Sequence, residues 1–205
     1  MLRVVGDVHA KVEGYIFLVC GANNSVQIGD MGFKKTYLEL LQYKNNALLD
    51  FNFDDHKFFC GNHDSQDDLD ILGSFYLGRY GNANVGNTDF FYVSGALSID
   101  KHLRTEDKSW WRNEELNYQQ AIDCFDLYVK TKPSIVLSHD CPQQALEGMI
   151  SHHFDDKSLT RNLLTNMFDA HQPRLWVFGH HHQCREWTLK NCKFICLNEL
   201  EFIDI

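Results

Sequence analysis

Five short apolar runs in this chain end in residues that can bind cations. Asp7 and His9 follow "LRVV", Asp30 follows "SVQIG", Asn62, His63 and Asp64 follow "KFFCG", His139 follows "SIVLS", and His180, His181 and His182 follow "RLWVFG". Singly, each has an ordinary explanation: an Asp after a strand often caps the next helix, and a single His is more often a hydrogen-bonded structural residue than a ligand. Together, five strand ends of this composition point to a metal centre. Two divalent cations about 4 Å apart repel strongly, and a carboxylate between them can bridge both; Asp30 is the candidate bridge. Neutral imidazoles and an amide oxygen add no charge, so two carboxylates leave such a site positive by about two units, enough to hold an anion on an acidic protein.

Positioning these residues requires strands that deliver their last residues to one edge of a sheet, and each apolar run reads as such a buried strand. Helical spacing predicts helices over 34–49, with Tyr37, Leu40, Leu41, Ala47 and Leu48, over 114–130, and over 158–169, with Leu159, Leu163, Met167 and neighbours on one face. "DFFYVSGALSID", and the pair "CREWTLKN" and "CKFICLN", read as strands joined by tight turns, with "NVGNTD" a turn. They imply antiparallel pairing and a second sheet, hence an α/β chain of two packed sheets flanked by helices.

Composition bounds the rest. With 205 residues, three prolines, no low-complexity segment and no solenoid-period repeat, a single domain over 1–205 is the simplest expectation. Apolar residues make up 44% of the chain, with fifteen Phe, eight Tyr and four Trp, enough for a buried core. The net charge of −9 argues against the electropositive surface that grips nucleic acid, so no long duplex partner is expected. Seven cysteines without a C-x-x-C pair suggest neither a disulfide framework nor a zinc ribbon. The opening "MLRVVGD" has no signal-peptide pattern, and no apolar run reaches the roughly 18 residues that span a membrane, so a cytoplasmic protein without a membrane partner is expected. Oligomeric state is not legible here.

The ordered blocks "GDVH", "GD", "GNHD", "SHD" and "GHHH", running from residue 6 to residue 182, resemble the calcineurin-like metallophosphoesterases, whose pattern is D-x-H, G-D, G-N-H-D/E, H and G-H-x-H. "SGALSIDK" and "SWWRNEE" further resemble short single-domain members from bacteria and phages. The resemblance implies a four-layered α/β/β/α sandwich with a dimetal site at the strand C-termini. It implies that Asp7, His9, Asp30 and His182 hold one metal, and that Asp30, Asn62, His139 and His180 hold the other. The cofactors would be two divalent transition-metal ions, manganese first, with iron, zinc or nickel as alternatives. The implied activity is hydrolysis of phosphomonoesters or phosphodiesters by in-line attack of a metal-bridging hydroxide. In this pattern His63 contacts the phosphate and stabilises or protonates the leaving oxygen, while Asp64 either orients His63 or caps a helix starting near Ser65. An extended backbone sends residues i and i+2 to one face, so His180 and His182 should point at the metals and His181 away, with Gly179 leaving room.

Some positions depart from that pattern or stand outside it. The protein phosphatases of the family continue their second block as G-D-x-V-D-R-G, whereas this chain reads "GDMGFKK", with Phe33 and Lys34 at the Asp and Arg positions. That counts against a protein-phosphatase specificity. Arg104 and Lys101, in "SIDKHLRTED", are candidate phosphate contacts, Arg through its planar fork. Trp110 and Trp111 could stack on a nucleobase or simply close a core. His56, His102, His152, His153 and His171 lie outside every motif, and Cys141 lacks a free base once His139 binds metal. The substrate is a phosphate ester, with a nucleotide among the candidates. The alternatives are a nuclease or cyclic (di)nucleotide phosphodiesterase of the same family and, from another class, a catalytically silent scaffold. Scaffolds of this type lack part of the ligand set, which is complete here.

Overall fold

Strand and helix alternate at the start: β1 (Arg3–Val5), α1 (Val12–Val19), β2 (Ser25–Gln27), α2 (Phe33–Asn45) and β3 (His56–Phe58), the three strands pairing in parallel. A hairpin of β4 (Tyr80–Val85) and β5 (Thr88–Val93) follows. Alternation resumes with α3 (Tyr118–Thr131), β6 (Ile135–Ser138), α4 (Gln143–Met149), α5 (Leu159–Ala170) and β7 (Leu175–Phe178). A second hairpin, β8 (Arg185–Leu189) and β9 (Cys192–Cys196), precedes β10 (Phe202–Asp204). The structure is a computed structural model, and it describes residues 1–45, 51–67, 69–149 and 157–205. His152, His153 and the end of the helix expected over 34–49 lie outside the described residues.

The strands form two mixed sheets, one in the order β10-β1-β2-β3 and one in the order β4-β5-β6-β7-β9-β8. Period-two side-chain alternation sets the layers. Val4, Leu137 and Val177 face inward and pack between the sheets. Their neighbour Val5 packs outward with α1 and α2, while Val136, Trp176 and Phe178 pack outward with α3, α4 and α5. The result is the expected α/β/β/α sandwich. The hairpins do not make a sheet of their own, however. β5, β6, β7 and β9 are parallel neighbours, and β4 and β8 close the two edges as antiparallel strands.

Local chemistry explains the boundaries. Both hairpins turn on two residues with positive φ, Gly86 and Asn87 (59° and 63°) and Lys190 and Asn191 (48° and 65°), the geometry that matches strand twist. The helix expected from residue 114 begins at Tyr118, because Asn117 and Gln120 form a reciprocal capping box, each side chain accepting the other's backbone N–H at 2.9 Å. Ser158 caps α5 by accepting from the Arg161 N–H at 3.0 Å. Among the described residues, no helix is long and apolar enough to cross a membrane.

Candidate metal centre and its cleft

All five motifs lie just beyond the C-terminal ends of parallel strands. β1, β2 and β3 lead to Asp7 and His9, Asp30, and Asn62 and His63; β6 and β7, in the other sheet, lead to His139 and to His180–His182. The site therefore sits where the two sheets meet, at the carboxyl ends of their parallel strands, and such strand ends are the usual place for ligands on open α/β sheets.

One group gathers around Asp7. His182 Nε2 lies 3.3 Å from Asp7 Oδ2 and 3.3 Å from His9 Nε2, and His9 Nε2 lies 3.7 Å from Asp30 Oδ2. A second gathers around His139, whose Nε2 is 3.0 Å from Asn62 Oδ1 and 3.4 Å from Asp30 Oδ1. The His180 ring lies 5.1 Å from that of His139. His139 Nδ1 is 3.0 Å from the Ile28 carbonyl oxygen, an arrangement that fixes the ring with Nε2 toward the site.

The residues fit a cation. Asp30 is buried, and no donor reaches its Oδ2, an unsatisfied carboxylate oxygen that a metal would satisfy. A Cβ at Gly61 would overlap the Asp30 carboxylate and His139 Nε2, and one at Gly179 would overlap the Asp7 carboxylate, so these glycines let the strand ends converge. Carboxylate, amide and imidazole donors suit manganese, iron, zinc or nickel.

The protonation pattern reflects crowded charge. Burial would raise Asp30, but His139, with His63 and His9, overcomes it and holds the carboxyl below the usual carboxylate range. Burial would lower His139, yet Asp30 and Asp7 push it up to about 10. Burial pushes Asp7 up to about 7 despite His139, and burial lowers His180 well below the usual imidazole range.

The backbone departs from the expected extended geometry. β7 stops at Phe178, and His180 (φ 64°) and His182 (φ 50°) are left-handed, as are His9 (48°) and Asp30 (55°). The period of two thus does not apply to the triplet. A tight turn separates the rings instead, with His180 beside His139, His182 beside Asp7 and His9, and His181 turned to Asp140, Nε2 to Oδ1 at 2.9 Å.

His63 sits at the mouth, its N–H donating to Asp30 Oδ1 at 2.8 Å. The Arg104 guanidinium lies across its ring, Nη1 2.9 Å from Nδ1 and Nη2 3.0 Å from Nε2. The two ring nitrogens point away from each other, so one planar group close to both lies over the ring face rather than donating along both. Asp100 grips Arg104 from behind, with Oδ1 2.8 Å from Nε and Oδ2 2.9 Å from Nη2. Lys101 is exposed on the 3-10 turn Lys101–Leu103 and does not bound the cleft.

Asp64 takes neither expected role. Its carboxylate accepts the N–H groups of Gly61 (3.0 Å), Met31 (3.0 Å) and Gly32 (2.7 Å), stitching the second and third motif loops together. Among the described residues no α-helix starts near Ser65; a 3-10 stretch begins at Leu69. Phe33 is buried in the outer core, and Lys34 is exposed at the start of α2.

Three further features were not read as site residues from sequence. Ser98 and Glu114 join the stretches "SGALSID" and "SWWRNEE": Asn62 Nδ2 donates to Ser98 Oγ (2.9 Å), which donates to Glu114 Oε2 (2.6 Å). Asp140 is buried and ion-paired with Arg161, Nη2 to Oδ2 at 2.9 Å. An open cleft of about 370 Å³ is bounded by Asp30, His63, Asp100, Arg104, Arg161 and His181, among others. Trp110 and Trp111 are half-buried outside its lining, and Cys141 is buried with its thiol pushed up by burial. His56 is also buried, 2.9 Å from the Ser25 hydroxyl, and His171 donates to the Pro133 carbonyl.

A family model described as calcineurin-like phosphoesterase matches residues 2–184. No curated protein matches the chain. Among solved structures, a phosphopantetheinyl hydrolase from Mycobacterium tuberculosis aligns over 97% of this chain and 89% of its own at 12% identity and a TM-score of 0.48. A putative 5'-nucleotidase from Staphylococcus aureus aligns over 97% of this chain at 13% identity and a TM-score of 0.53, a likeness of fold. This chain spans 48% of that protein.

Proposed function

The chain belongs to the calcineurin-like phosphoesterase family, and on that premise we propose that it hydrolyses phosphate esters with two divalent cations held at the seam between its sheets. Asp7, His9, Asp30 and His182 would hold one, and Asp30, Asn62, His139 and His180 the other. The observation that carries this reading is the buried Asp30 carboxylate, which turns Oδ2 toward His9 (3.7 Å) and Oδ1 toward His139 (3.4 Å), one oxygen to each group. Divalent cations in such a donor set supply Lewis acidity toward phosphoryl oxygens and acidify a water for in-line attack on phosphorus.

The remaining chemistry falls to side chains at the mouth. His63 stabilises or protonates the leaving oxygen. Arg104, whose Nε and Nη2 are held by Asp100 and whose Nη1 donates to the Ser109 carbonyl, offers its remaining Nη1 and Nη2 hydrogens to the non-bridging oxygens. Asp64 keeps two motif loops in register rather than moving a proton. The cleft is open, so a small phosphate mono- or diester, a nucleotide included, is the proposed substrate class, with manganese the first metal to test and iron, zinc and nickel after it.

The test is metal analysis of the purified protein, followed by turnover of mono- and bis-aryl phosphates with manganese, nickel, zinc and magnesium in turn. Asp30→Asn should abolish metal-dependent turnover, and unchanged activity in that variant would overturn the mechanism. His63→Ala should keep its metal and lose roughly 10²- to 10⁴-fold in rate, the usual span for a general acid. An emptied site in His63→Ala would instead make His63 a ligand.

A further inference from the structure

We infer that Glu114 is a positioning residue that sets which atom of the Asn62 amide faces the metal centre, acting through Ser98; the inference rests on Asn62 being a ligand. An amide offers an oxygen and a nitrogen of nearly equal shape, and only the oxygen can ligate a cation. Something must therefore decide the orientation of Asn62.

The decision runs through two hydrogen bonds. Glu114 is 2% exposed; its Oε1 accepts the Ser98 N–H at 3.0 Å and its Oε2 accepts the Ser98 hydroxyl at 2.6 Å. An ionised carboxylate only accepts, so the single hydroxyl hydrogen of Ser98 is committed to it. Ser98 Oγ then has only lone pairs to offer, and Asn62 Nδ2 donates to them at 2.9 Å. The Asn62 oxygen is left facing His139 Nε2 at 3.0 Å, inside the site. The acceptor-only character of Glu114 thus fixes the amide two bonds away.

The surrounding fold holds this chain in place. Ser98 lies on the loop after β5, Glu114 lies just before the capped start of α3, and a Cβ at Gly95 would overlap the Glu114 carbonyl, so the two segments are packed together. Ser98 lines the cleft, but like Glu114 it is only 2% exposed, so the bond between them is largely covered. A buried acid is costly to keep without donors; burial raises the Glu114 carboxyl, and the two hydrogen bonds from Ser98, with the Trp110 side chain, oppose that rise and favour the ionised form.

Glu114→Gln tests this at constant shape. The new amide can donate to Ser98 Oγ, which frees the hydroxyl hydrogen for Asn62 and turns its amide over. The full chain is titrated with manganese(II) alone by calorimetry, and folding is followed by a thermal melt. Glu114→Gln and Ser98→Ala should each weaken one of the two ions by at least about tenfold, as loss of a supporting hydrogen bond does, while the other stays within about threefold. Ser98→Thr, which keeps the hydroxyl, should restore both. Wild-type binding of both ions in Glu114→Gln and Ser98→Ala overturns the inference, as does equal weakening of both ions in folded Ser98→Ala. Asn62→Ala separates this from the underlying reading. If Asn62→Ala itself binds both ions normally, Asn62 is not a ligand; if it loses one while Glu114→Gln loses none, only the relay fails.

Discussion

His139 and Asp7 carry protons that any cation must displace. With His139 pushed up to about 10 and Asp7 up to about 7, both bind protons near neutrality, whereas a metal takes the neutral imidazole and the carboxylate. Raising the pH from 6 to 8 takes the proton off Asp7 and makes the one on His139 easier for a cation to displace, so manganese affinity should climb across that range. Calorimetry in buffers of different ionisation heat should register proton release on binding; pH-independent affinity with no release would contradict this protonation pattern. At this scale, residue types and order marked out the candidate ligands, but the partners of single carboxylates were illegible. Asp64 follows a His and precedes a Ser, which suits an orienting or capping role, yet it binds three amides, two of them on a loop 32 or 33 positions earlier in the chain. Nothing local encodes that choice.

Elements were legible where they were long or buried on both faces. Parallel strands covered on both sides read as continuous apolar runs, which is why all five motif strands could be placed. β10 is three residues long and β4 carries Gly and Asn, too little periodicity or propensity to register. α1, "VEGYIFLV", spans eight residues and is rich in apolar and β-branched types, so it reads equally well as a strand. α3 starts four residues after the position its apolar spacing predicts, because that spacing runs on past the cap: Leu116 is buried outside the helix. Asn117→Ala removes one arm of the capping box and should cost about 1 kcal/mol in urea unfolding with metal content unchanged. An unaltered midpoint would show that packing alone fixes that helix end.

Across the whole molecule, one sheet brings Asp7, His9, Asp30 and Asn62 and the other brings His139, His180 and His182, so the ligand set exists only when the sheets are docked. A cation that binds only this folded arrangement stabilises it, by about 2.7 kcal/mol at a free concentration of 100 times its Kd. For a chain of this size that corresponds to roughly 5–10 °C in Tm. Scanning calorimetry with and without manganese should show the rise, a chelator should reverse it, and Asp30→Asn should largely lose it. A Tm indifferent to metal would mean that the two sheets hold their ligands apart.

The left-handed backbone at His9, His180 and His182 has a bearing on descent. A histidine there gives up roughly 1–2 kcal/mol that glycine would keep. A lineage freed from holding metal would gain stability by drifting to glycine or asparagine at these three positions, long before its core changed. Such residues in an otherwise intact sandwich are what this backbone geometry leads one to expect of a silenced copy.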